Sequence, residues 1–159
     1  MGRIGPRILG LAAALTAVGA LAAQAPVFLF GGVGLASDLS QVARRYPHSL
    51  RNGDILYVDP ADTTDHISTI ALSGAGPSRR LRVTFELERG GRKDNPACAD
   101  VQRMLDAQFG VPTIRTFREE AVERADRQWR SATEEMTLVC FAGPRRAWLA
   151  EAVVINPVQ

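Results

Sequence analysis

The densest set of chemically competent side chains in this chain is Asp59-Pro-Ala-Asp62-Thr-Thr-Asp65-His66. Three carboxylates and an imidazole in one short stretch suit a divalent cation, because hard cations take oxygen ligands and imidazole suits zinc. Asp62, Asp65 and His66 are the candidate metal ligands. His66 with Asp62 or Asp65 is also the best pairing available to a hydrolase. The spacing fits neither an EF-hand loop nor a zinc-binding helix motif. Asp and Thr also close turns by bonding their own backbone, so a plain loop is the favoured reading.

Other candidates carry less. The second histidine, His48, has no serine on a tight turn to serve. Ser73-Gly-Ala-Gly-Pro77 is glycine-rich but lacks both the nucleophile-elbow pattern and the lysine of a phosphate-binding loop. Glu119-Glu120, Glu123 and Glu134-Glu135 could supply carboxylate pairs for glycoside chemistry. They alternate with Arg115, Arg118, Arg124, Arg127 and Arg130, which is the pattern of a solvated helix laced with ion pairs. No catalytic residue is assigned and no cofactor motif is present. Trp129, set among charges, is the candidate interface residue, whereas Trp148 lies in an apolar run and reads as core.

The two cysteines, Cys98 and Cys140, are the strongest pair in the sequence. Neither has a neighbouring histidine, so a disulfide or two buried thiols outrank a nucleophile. A bridge requires the elements on which they sit to meet. Asp94 or Asn95 can cap a helix with Pro96 in its first turn. Cys98, Val101, Leu105 and Phe109 then share one face, and Gly110 and Pro112 stop the helix. In Met136–Ala142 a two-residue period places Met136, Leu138, Cys140 and Ala142 on one face of a strand. If that face meets the helix, the thiols join.

The opening of the chain gives the bridge a compartment. Arg3 and Arg7 precede an apolar run from Ile8 to Ala23, and no further charge comes before Asp38. Ala20-Leu21-Ala22 presents small residues where a signal peptidase reads, as does Ala23-Gln24-Ala25, although Pro26 follows the latter. Apolar character continues through Pro26–Ala36, and Ile8–Phe30 is long enough to span a bilayer. Residues 1–36 are therefore expected to be a cleaved signal peptide or an uncleaved membrane anchor, and residues 37–159 a single exported domain; the bland alternative is a cytosolic protein with a buried N-terminal helix. The arginines stay inside, so signal and anchor alike put the remainder outside the cytoplasm. An oxidising compartment favours the disulfide.

Charge narrows the partners. Setting aside Arg3 and Arg7 leaves 17 of the 19 basic residues against 17 acidic ones, a formal net charge of zero. The composition argument for nucleic-acid binding is thereby lost.

The remaining elements read as strands. Ile55–Val58, His66–Leu72, Thr113–Phe117 and Ala147–Ile155 are short apolar or alternating runs. Leu81–Glu88 alternates strictly, with Leu81, Val83, Phe85 and Leu87 on one face. Asp38–Arg45 suits a short helix capped by Ser37. Over 118–132, Ala121, Ala125, Trp129 and Ala132 at helical spacing favour a helix; the alternative is a hairpin turning at Glu134-Glu135. Strands, then a helix, then strands predict an α+β fold, a small antiparallel sheet with one central helix packed on one face. The expected role is a non-catalytic binding or accessory domain for an envelope protein or small ligand. The alternatives are a hydrolase or metal-binding enzyme built on 59–66, and an accessory subunit held in a membrane complex by its N-terminal helix.

Overall fold

The computed structural model describes residues 28–59, 66–87, 97–119, 122–142 and 148–157. They form α1 (Leu39–Arg45), β1 (Leu50–Asn52), β2 (Ile55–Val58), β3 (Ile67–Ser73), β4 (Arg80–Glu86), α2 (Cys98–Phe109), β5 (Thr113–Glu119), β6 (Val122–Arg130), β7 (Glu135–Ala142) and β8 (Trp148–Ile155). All eight strands join one antiparallel sheet in the order β1-β2-β3-β4-β8-β7-β6-β5. The fold is α+β in the broad sense, two helices with a sheet that dominates. The sheet is larger than the expected small one.

The order follows from two meanders. β1 to β4 fold back on one another from an edge to the middle. The chain then crosses through α2 to the far edge, and β5 to β8 return to the middle, where β8 pairs with β4 along its whole length, from Arg80↔Ile155 to Glu86↔Leu149. Gly53 makes the tight β1–β2 turn with φ of 61°, a conformation for which glycine carries no Cβ penalty.

The alternation read in β4 is present. Leu81, Val83 and Phe85 are fully buried, and Leu56, Val58, Ile70, Leu72, Met136, Leu138, Ala150, Ala152 and Val154 complete that face. Register places Thr84, Glu86, Glu151, Val139, Phe141 and Leu149 on the opposite face.

Residues 28–46 are part of this core. Phe28, Phe30, Val33 and Leu35 are 1%, 4%, 0% and 3% exposed. Phe109 meets Phe28 edge-on at 5.1 Å between ring centroids, and Phe30 contacts both Phe109 and Phe85. Each such side chain contributes roughly 1.5–3 kcal/mol of burial. Residues 28–36, expected with the N-terminal segment, thus pack in the core of this sheet, which reaches back at least to Phe28. Residues 1–27, which hold most of the expected signal or anchor, lie outside the described residues. Among the described residues, no helix is long and apolar enough to cross a membrane.

Two local readings also change. Asp38, not Ser37, caps α1, its Oδ1 accepting the Gln41 N–H at 2.9 Å. Residues 122–130 are strand, not helix, and a turn at 131–134 leads into β7. The helical spacing of Ala125 and Trp129 is overridden because β6 pairs with β5 over Val122–Gln128 and with β7 over Arg127–Arg130, which satisfies its backbone groups. Asp94, Asn95 and Pro96 lie outside the described residues. α2 begins after Ala97, whose N–H bonds Asp100 Oδ2 at 2.8 Å.

Candidate functional site

The cysteines meet as the sequence implied. Cys98 in the first turn of α2 and Cys140 on β7 form a disulfide with 6.3 Å between their Cα atoms. Both face the core cluster from its rim. Neither is left as a nucleophile or metal ligand. Two further contacts hold α2 at its other end. Asp106 Oδ2 accepts from Arg127 Nη1 of β6 at 2.8 Å. Gly110, which ends the helix at φ 88°, accepts from the Trp129 indole N–H at 2.8 Å.

That bond disposes of the interface expectation for Trp129. The residue is 3% exposed and belongs to the core, so its ring is not available to a partner. A strand places Trp129 and Arg127 on the face bearing Met136 and Leu138, where a charged neighbour in sequence says nothing about exposure.

The candidate metal site is not assembled by what is described. Asp62 and Asp65 lie outside the described residues. His66 is exposed at the start of β3, with φ of 57°. Among the described residues, no three His, Cys, Asp or Glu side chains come together as a metal set. Of the glutamates considered for glycoside chemistry, Glu135 bonds Arg130 at 2.8 Å on a neighbouring strand, and Glu134 is 5% exposed.

Glu134 has a different task. Its Oε2 accepts the Phe28 backbone N–H at 3.2 Å, while Ser131 bonds its backbone and fixes the β6–β7 turn. Arg79 acts similarly, donating from Nη2 to the Ser37 carbonyl at 2.6 Å. Tyr46 donates its hydroxyl to the Gly31 carbonyl. These three groups bolt residues 28–37 to the domain. Arg79 and Glu134 also line an open cavity of about 290 Å³ with Leu35, Ala36, Gly76, Thr133 and Asn156. Arg79 Nε is buried with no hydrogen-bond partner among the described residues.

Among the described residues, two surfaces are exposed. One is the sheet face away from the core, where the cross-strand pair Phe141↔Leu149 exposes 44% and 38% of its side chains. The other is the outer edge of β5, exposed at every position from Thr113 to Arg118. Both arise from register and strand order, and single-strand periodicity carried no signal for either.

No protein-family model matches the chain, and neither a curated protein nor a solved structure is similar to it. Function must be argued from the chain's own residues.

Proposed function

We propose that the chain is a small exported binding or accessory domain without catalysis of its own, working in the periplasm or on the extracytoplasmic face of the inner membrane. The observation that carries this reading is the Cys98–Cys140 bridge, because disulfides persist in oxidising compartments and are rare in the cytosol. The basic and then apolar opening of the chain supports the same address. In this reading the bridge keeps α2 over the core-bearing face of the sheet and leaves the opposite face for an envelope protein or small ligand. Phe141 and Leu149 are its apolar anchor, and Arg82 and Glu151, paired at 3.3 Å, lie on its polar rim. Cutting after Ala22 or Ala25 spares Phe28 and the buried residues that follow it. A tether, if retained, is confined to residues before Phe28.

The test is the intact mass of the protein recovered from its own envelope, with and without reduction and alkylation. A mass lacking the chain up to Ala22 or Ala25 supports a processed, soluble domain. A mass retaining Met1 or Gly2 supports a tethered one. Alkylation of Cys98 and Cys140 without prior reduction would sink the export reading.

A further inference from the structure

The β5–β6 hairpin is longer than the sheet that supports it. β5 pairs with β6 along all seven of its residues, from Thr113↔Gln128 to Glu119↔Val122. β6 pairs with β7 only from Arg127↔Leu138 to Arg130↔Glu135. From Arg115↔Asp126 outward the hairpin is a two-stranded arm with no third strand among the described residues. Such ribbons are marginal in water, and three strands are generally needed for independent stability. The outer strand of the arm is also the edge of the sheet, and the outward N–H and C=O groups of an edge can template another strand. Ile114 and Phe117 on it expose 57% and 45% of their surfaces.

We propose that a second copy of this chain supplies the missing strand, the two β5 edges pairing antiparallel about a two-fold axis at Thr116. An axis perpendicular to the sheet keeps each face continuous with its counterpart, so residues of the same parity must be opposite one another. Centring on Thr116, the middle of Thr113–Glu119, uses the whole strand. Thr116 then faces Thr116 of the second copy. Arg115 lies across from its Phe117, and Arg118 across from its Ile114. Each guanidinium meets a ring or an apolar side chain, on which its stem can pack and its charge can rest. Registers centred on Arg115 or Arg118 would instead set two guanidinium groups face to face, which is unfavourable. The arginines that guard the edge therefore disfavour those two registers, and centring on Thr116 is the choice that uses the whole strand. The product is a four-stranded β6-β5-β5-β6 ribbon.

The register makes Thr116 self-opposed, which gives the test. The full chain, recovered as the cell processes it, is examined by sedimentation over a concentration series. A dimer is expected at high concentration. The variant I114K/T116K sets like charges opposite at three positions and should weaken association on the order of tenfold to a hundredfold, with the circular dichroism of the monomer unchanged because both sites are exposed. T116C should form an inter-copy disulfide under mild oxidation, identified by peptide mass as the peptide carrying the substitution joined to a second copy of itself, with Cys98–Cys140 intact. A monomer at every concentration overturns the proposal. So does a dimer that I114K/T116K leaves as tight as before, or a T116C thiol that stays free while a dimer is present.

Discussion

Loss of the Cys98–Cys140 bridge is the perturbation with the largest calculable effect. The bridge closes 42 residues of separation, a span that contains most of α2, all of β5 and β6 and part of β7. Constraining a loop of that size in the unfolded chain corresponds to about 4 kcal/mol on the chain-entropy account. The folded side loses little: both cysteines sit at the rim of the core, and α2 keeps Val101 and Leu105 buried and Asp106 paired with Arg127. The double variant C98A/C140A should therefore fold with α2 in place but lie roughly 3–4 kcal/mol closer to unfolding. For a domain of this size the melting temperature should fall by roughly 10–20 °C. Urea denaturation followed by circular dichroism reads both terms. The midpoint should fall and the m-value should rise, because the unlinked chain exposes more surface when it unfolds. A loss below about 1 kcal/mol with an unchanged m-value would overturn this account, since it would mean that the bridge does not restrict the unfolded ensemble.

Three other outcomes follow from the same geometry. Phe85→Ala removes a fully buried ring at the middle of the sheet that contacts Phe30, and should cost about 3–5 kcal/mol in urea denaturation. Glu134→Ala deprives the Phe28 N–H of its buried acceptor; it should cost about 1–3 kcal/mol and make residues 28–37 the first site of limited proteolysis, read by mass. Trp129→Phe keeps the burial but leaves the Gly110 carbonyl without its indole donor, and should cost about 1 kcal/mol. In a Trp148→Phe background the remaining Trp129 emission should be blue-shifted and resist acrylamide quenching.

Much of the fold was legible where local pattern and global role agree. The strand Ile55–Val58, the alternation of β4 and the buried face of α2 could be read because a single period ran through each. The cysteine pair was legible because the two elements carrying it had to meet. β6 was not, because its residues break both periods. Arg127 interrupts the core face to reach Asp106, while Asp126 and Gln128 are buried on the other. Residues 28–36 were misassigned because hydropathy does not distinguish apolar residues meant for a bilayer from those meant for a core, and here the two kinds would adjoin. The open surfaces depend on which strands become neighbours, information that no single strand contains.

The pairing of β4 with β8 has a consequence for the order in which the protein can be made. The hydrogen bonds at the middle of the sheet join Arg80–Glu86 to Leu149–Ile155, so no strand of one meander pairs with a strand of the other until β8 arrives. Before that, each half presents an open central edge, and contacts so distant in sequence form slowly. A chain still lacking β8 would therefore remain pliable and lock only once that strand is available. Any product cut short before β8 would expose two sticky half-sheets, which proteases and chaperones would meet first. β8 thus controls when the two halves of the sheet can be joined.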